Sequence, residues 1–154
     1  MIKINVIVKN KFWIQRIAKP EIYFVKKVNK LNLKNKYFNK KKLEFTLLLS
    51  DDKEIKKLNK KFRKKNKSTD VLSFPFHSKK NLKKMLETEK EVYLGDIIIN
   101  FNKIDNKKNL KLFKSQFDKL WVHGLVHLLG HDHKKESAYK KMRQIESSYL
   151  NYIK

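Results

Sequence analysis

The chain contains no cysteine, so disulfides and thiolate metal sites are excluded and any bound ion must rely on nitrogen and oxygen donors. Glycine and proline are scarce, three and two residues in 154. No Gly/Ser-rich linker divides the sequence, and residues 1–154 are expected to form a single domain large enough for its own core. No apolar run approaches the roughly 20 residues of a membrane span. Met1-Ile2-Lys3-Ile4-Asn5 also lacks the charged-then-apolar order of a signal peptide. Together these absences point to a cytoplasmic protein. Acidic residues are few as well: 15 Asp and Glu stand against 39 Lys and Arg, for a formal net charge of +24.

Such a surplus of cations suits a polyphosphate partner, because Lys and Arg neutralise phosphates and release counterions. The composition offers a second reading. Only three of the 39 basic residues are arginine (Arg16, Arg63 and Arg143). Lys, Asn, Ile and Phe share A/T-rich codons, so an A/T-biased genome would raise lysine without selection for RNA or DNA. Against this background two of the three glycines, Gly124 and Gly130, fall inside one short histidine-rich segment.

Alternation of Ile2, Ile4, Val6 and Val8 predicts a strand over residues 2–8. Residues 11–33 read as helical, with Pro20 kinking the segment or starting a second helix whose face carries Ile22, Val25, Val28 and Leu31. A strand follows over Leu43 to Leu49. Ser50-Asp51-Asp52, with Glu54 three residues after Asp51, signals the start of a helix burying Ile55, Leu58 and Phe62. Asp70 to Phe76 and Val92 to Asn100 are the third and fourth strands; Ile97-Ile98-Ile99 suits one covered on both faces. The charged stretch Lys79 to Glu91 reads as a mobile surface loop or short helix, and 102–109 as helical or irregular. From Leu112 to Leu129 runs a helix apolar on most sides, through Phe113, Phe117, Leu120, Trp121, Val122, Leu125, Val126, Leu128 and Leu129. An amphipathic helix over Lys134 to Ile153, packing Ala138, Met142, Ile145, Tyr149 and Tyr152, closes the chain.

Four of the five histidines lie within His123-Gly124-Leu125-Val126-His127-Leu128-Leu129-Gly130-His131-Asp132-His133. His123 and His127 are four apart and share a helix face. Gly130 can end that helix in a left-handed conformation, after which His133 can fold back towards them. Burying several imidazoles together without an ion leaves nitrogens unsatisfied, so the cluster reads as a metal site. The spacing H-x3-H-x2-G-x2-H matches the three-histidine zinc site of metzincin proteases in its ligand positions. Those enzymes carry a general-base glutamate directly after the first histidine, and here that residue is Gly124. The segment therefore fits a metal site but not a peptidase. The spacing favours His133 over His131 as third ligand. His131 is then a cleft-wall residue or outer-shell donor, and Asp132 an outer-shell acceptor or the cap of the final helix. Three neutral nitrogens leave a fourth position for water, as in catalytic zinc sites; nickel or copper would also accept them.

A second constellation runs from Leu58 to Pro75, Leu58-Asn59-Lys60-Lys61-Phe62-Arg63 and then Thr69-Asp70-Val71-Leu72-Ser73-Phe74-Pro75. Its basic run is either a solvated helix terminus, with cations favourable at the C-terminal dipole, or a phosphate-binding element. Arg63 stands out among lysines because a guanidinium makes planar bidentate contacts with phosphate.

These blocks, taken with Leu94-Gly95-Asp96-Ile97 and the histidine segment, closely resemble the YbeY family of bacterial endoribonucleases that mature ribosomal RNA. The family pattern L-N-x-x-[YF]-R-x-x-x-x-x-T-D-V-L-S-F-P, then L-G-D-I, then H-G-x-x-H-L-x-G-[YFH]-D-H occurs here in order. The resemblance implies that His123, His127 and His133 bind one zinc ion per chain and that Arg63 is needed for RNA cleavage. His131 occupies a place where an aromatic is common and is not implied to be a ligand. An α+β fold is implied, a four-stranded mixed sheet flanked by about five helices with a zincin-like metal cleft on a buried helix. So are single-stranded RNA near an end of the small-subunit (16S) rRNA as substrate and the small ribosomal subunit as partner. On this reading zinc and Arg63 would stabilise charge on the phosphoryl group, while Lys60, Lys61, Lys64, Lys65 and Lys67 track the RNA backbone. Two rivals have their own signatures: a metal-dependent hydrolase of another substrate, and a non-catalytic ribosome assembly factor in which zinc only holds the fold.

Overall fold

The computed structural model describes residues 1–105 and 107–154. The chain runs β1 (Ile2–Val8), α1 (Lys11–Arg16), α2 (Pro20–Lys34), a 3-10 turn (Lys36–Lys40), β2 (Lys42–Ser50), α3 (Asp52–Arg63) and β3 (Val71–Pro75). It continues through α4 (Lys79–Thr88), β4 (Glu91–Asn100), a second 3-10 turn (Phe101–Lys103), α5 (Leu110–Leu128) and α6 (Glu136–Tyr152). The sheet is four-stranded in the order β1-β2-β4-β3. β1, β2 and β4 run parallel to one another, while β3 pairs antiparallel with β4 at the edge. This is the expected α+β mixed sheet, with six α-helices against the five or so anticipated.

The additional helix lies in the charged stretch before β4. The Ser78 hydroxyl accepts from the Asn81 backbone N–H, and Leu82, Met85 and Leu86 recur at helical spacing, with Leu82 buried in the main core. Pro20 occupies the first turn of α2, where its missing N–H costs nothing, so the break resolves into two helices. The buried face of α2 differs from the expected one. Pro20, Phe24, Val28 and Leu31 point inward, while Ile22 and Val25 remain half exposed. The large ring of Phe24 packs against Phe117 and Trp121 and sets the rotation of the helix. Phe62 also departs from expectation. Ile55 and Asn59 are the buried residues of α3, but by its last turn the helix meets only the edge of the sheet, where Phe62 lies edge-on to Phe74 of β3. Of the 102–109 segment, Asn102 and Lys103 belong to the 3-10 turn Phe101–Lys103, and Asn106 lies outside the described residues.

α5 is the organising element. Phe113, Phe117, Trp121, Val122, Leu125 and Val126 have no solvent exposure, and the rings join Trp13 and Phe24 in a cluster of edge-on and tilted contacts. Each such side chain contributes on the order of 1.5–3 kcal/mol by leaving water. At Gly124 the helix comes so close to β4 that an added Cβ would sit 2.7 Å from Cγ2 of the fully buried Ile97. Among the described residues no helix is long and apolar enough to cross a membrane.

Candidate metal centre and its cleft

α5 delivers His123 and His127 from successive turns at its C-terminal end, and Gly130, at φ +86°, turns the chain so that His133 comes back over them. Backbone bonds hold the turn: Gly130 N–H donates to the His127 carbonyl and His131 N–H to that of Val126. The ring centroids stand 4.6 Å (His123–His127), 5.1 Å (His127–His133) and 6.0 Å (His123–His133) apart. One ring nitrogen from each of the three lies within 4.8 Å of the others.

The remaining nitrogens explain this aim. His123 Nδ1 is 2.7 Å from Glu146 Oε1 on α6, and His127 Nδ1 is 2.9 Å from the His131 carbonyl oxygen. Both acceptors favour a proton on Nδ1, which leaves the Nε2 atoms of His123 and His127 as lone pairs opposed at 3.1 Å. Two acceptors at that separation repel unless a cation sits between them. Burial, and secondarily the adjacent His123, push the His127 imidazole below its usual pKa, so its neutral, ligating form is favoured. Neutral imidazoles at this spacing fit a tetrahedral ion, whose ligand nitrogens stand about 3.3 Å apart at ordinary zinc–nitrogen lengths.

The three rings open into a cleft of about 620 Å³ whose opposite wall is β3, through Val71, Ser73 and Pro75, with Arg63 beside it. Arg63 lies far away in sequence, but its Nη2 donates to the Ser73 carbonyl (3.4 Å) and its guanidinium is otherwise exposed to the cleft. Lys60, Lys61, Lys64, Lys65 and Lys67 are all exposed on the end of α3 and the loop after it, outside the cleft lining. The cations that do line it with Arg63 are Lys79 and Lys134, and sequence patterning had not singled them out. The loop is braced from below. Asn100, fully buried at the end of β4, donates to Asp52 Oδ1 (2.9 Å), Ser68 Oγ (2.9 Å) and the Thr69 carbonyl (3.0 Å). Hydrogen bonds from Ser68 and Asn100 hold the Asp52 carboxyl below its usual pKa.

His131 lines the cleft wall and serves His127 through its backbone carbonyl; its own imidazole is pushed down in pKa by burial and then by Lys141 and Lys79. Asp132 Oδ1 accepts from Lys134 N–H in the turn before α6. The carboxylate on a cluster imidazole is instead Glu146, which the sequence reading missed. Its signal was an acid one turn after Met142, on the side of α6 that packs Met142 and Tyr149. Asn100 had a fainter one, an amide ending an apolar strand.

The fold and site define an α+β protein with a three-histidine cleft, in which a helix-borne pair and a returning third imidazole face an arginine across an edge strand. The chain belongs to the YbeY family: the family model described as Endoribonuclease YbeY matches residues 9–154. It is 44% identical over 156 residues to the endoribonuclease YbeY of Pelagibacter ubique, covering 100% of this chain and 97% of that one. The corresponding protein of Thermodesulfovibrio yellowstonii is 37% identical over 134 residues, 84% of this chain and 76% of the relative. A solution structure of a Thermotoga maritima protein superposes with a TM-score of 0.60 at 23% identity, covering 99% of this chain and 89% of that one. That likeness concerns the fold.

Proposed function

We propose that residues 1–154 form a single-domain, zinc-dependent endoribonuclease specific for single strands, acting on small-subunit (16S) rRNA in ribosome maturation and quality control. On this reading it works in the cytoplasm, in association with the small ribosomal subunit. The supporting observation is the convergence of His123, His127, His133 and Arg63 on one cleft, in a chain whose family is named for RNA cleavage.

His123, His127 and His133 would hold one zinc ion per chain, which when bound supplies Lewis acidity towards a phosphodiester. Glu146 and the His131 carbonyl fix the tautomers of His123 and His127 and keep both Nε2 atoms turned inward. Arg63 offers a planar cation across the cleft, suited to charge developing on phosphoryl oxygens, and its bond to the Ser73 carbonyl limits how far it can swing. Lys79 and Lys134 add positive potential at the mouth, and the lysines between 60 and 67 extend it outward for the RNA backbone. Residue 124 takes no part as a base, since Ile97 leaves no room for a side chain there.

Metal content and RNA cleavage measured together on the wild type, His133→Ala and Arg63→Ala test the proposal. One zinc per chain is expected in the wild type and in Arg63→Ala, and its loss in His133→Ala, with cleavage abolished in both variants. Full metal occupancy in His133→Ala would overturn the ligand assignment. Product ends identify the nucleophile: a 2′,3′-cyclic phosphate means attack by the substrate's own 2′-hydroxyl, a linear phosphate attack by water.

A further inference from the structure

Phe62 and Phe76 are large apolar side chains left in water, at 57% and 69% exposure. Single exposed phenylalanines are ordinary, but each of these two belongs to an aromatic group, and the two groups follow one another along a strip at β3 and its C-terminal end. Phe62 meets Phe74 at 5.3 Å between centroids, and Phe76 meets Tyr93 at 5.6 Å and His77 at 5.0 Å. Cations accompany the rings: Lys61 Nζ lies 5.2 Å from the centre of Phe62, and Arg63 Cζ 6.0 Å from that of Phe74. The backbone beneath is tightly specified. At Gly95, with φ +132°, a Cβ would come within 2.2 Å of the Phe74 carbonyl oxygen and 2.9 Å of Phe76 N, so glycine alone lets β4 approach the strip.

Strand alternation puts Phe74, and with it Phe62 of α3, on the opposite side of β3 from the cleft; Phe76 follows the last residue of the strand, and its neighbour His77 reaches the cleft lining. Val71, Ser73 and Pro75 line the cleft, whereas Leu72 and Phe74 pack with Ile55 and Ile98 on the α3 side. β3 is the edge strand, so the two surfaces are separated by one strand's thickness. Arg63 touches both, through the Ser73 carbonyl in the cleft wall and the Phe74 ring on the strip.

We propose that Phe62, Phe74 and Phe76, edged by Lys61 and Arg63, form a base-stacking platform that receives single-stranded RNA as it passes from the cleft around the edge of β3. This rests on the ribonuclease reading of the cleft and names where the flanking nucleotides lie. Every base has a face to stack on an aromatic ring, and the nearby cations suit a polyphosphate better than an apolar protein surface. A strand must bend around β3 to reach both surfaces, which a flexible single strand can do and a stiff duplex cannot.

Fluorescence anisotropy tests this with the full chain, a 12-nucleotide 2′-O-methyl RNA and the same backbone made abasic. Phe62→Ala/Phe76→Ala should bind the base-bearing strand roughly 30-fold or more weaker, two stacking contacts being lost. Both proteins should bind the abasic strand alike. A 2-aminopurine in the base-bearing strand should be quenched by the wild type and not by the double variant. Phe76→Trp, which keeps the ring, should bind at least as tightly as the wild type. Equal binding of the base-bearing strand by wild type and double variant overturns the platform, and so does equal binding accompanied by lost growth complementation, which assigns the strip to a protein partner. Cleavage of unmodified RNA is scored separately. A wild type that binds with quenching but does not cleave defeats the enzyme reading and leaves the platform standing. One that cleaves while the double variant binds unchanged defeats the platform alone.

Discussion

On one face of the sheet α5 lays Phe113, Phe117 and Trp121 into an aromatic cluster with no solvent exposure. On the other, α3 contributes Ile55 to a patch in which only Leu72 and Ile98 are also fully buried, among the described residues. The histidines ride on the first face and Arg63 ends the helix on the second. An ion needs ligands fixed to within a fraction of an ångström, and a densely packed helix provides that. A flexible polymer needs exposed cations and rings, and a thinly covered sheet edge leaves them free.

Substitutions should separate the two faces by size of effect. Phe117→Ala should cost the most, about 3–5 kcal/mol, since a large aromatic void would open under α5; urea unfolding measures it, and a loss under 1 kcal/mol would remove the claim that this face is the rigid one. Gly124→Ala should cost about 1–3 kcal/mol by overpacking against Ile97, offset by about 1 kcal/mol of helix propensity. In an Ile97→Ala background the same change should become neutral or stabilising, a coupling read by a double-mutant cycle.

Glu146→Gln should leave the fold largely intact and weaken zinc binding about 10–100-fold, as measured by competition with a chelator. Unchanged affinity would mean that the His123–Glu146 bond does not orient the ligand. Asp52, held below its usual pKa by Ser68 and Asn100, contributes stability that is present above its unfolded value of 3.8 and lost as pH falls below it through the folded value. Thermal melts of Asp52→Asn should therefore show a shallower decline than the wild type in that acid window. The smallest effect belongs to the exposed edge: Phe62→Ala should change unfolding free energy by no more than about 0.5 kcal/mol.

Legibility followed the same division. α5 was readable because its apolar residues cover most of the helix circumference, and its end because Gly130 breaks the pattern; its start was not, since the helix begins at Leu110, two residues before the expected Leu112, behind an Asn109 cap that accepts from Leu112 N–H. Phe62 was misread because periodicity reports which face of α3 could be buried but not where the sheet beneath it stops. Ile22 and Val25 were misread for a related reason: two overlapping stripes existed on α2, and Phe24 fell on the one that α5 could cover. Glu146 was not seen because its partner His123 is 23 residues away on another helix.

Local spacing was enough to bring His123 and His127 onto one face, to end their helix at Gly130 and to return His133, because those relations depend on helical pitch and on the conformational freedom of one glycine. Folding added what lies beyond pitch. It set Glu146 behind His123, drew Arg63 onto Ser73 in the wall opposite the histidines, and showed that Gly124 marks a close approach to Ile97 as well as an absent carboxylate. Those facts depend on how two helices and an edge strand pack together, and no short stretch of chain carries that information.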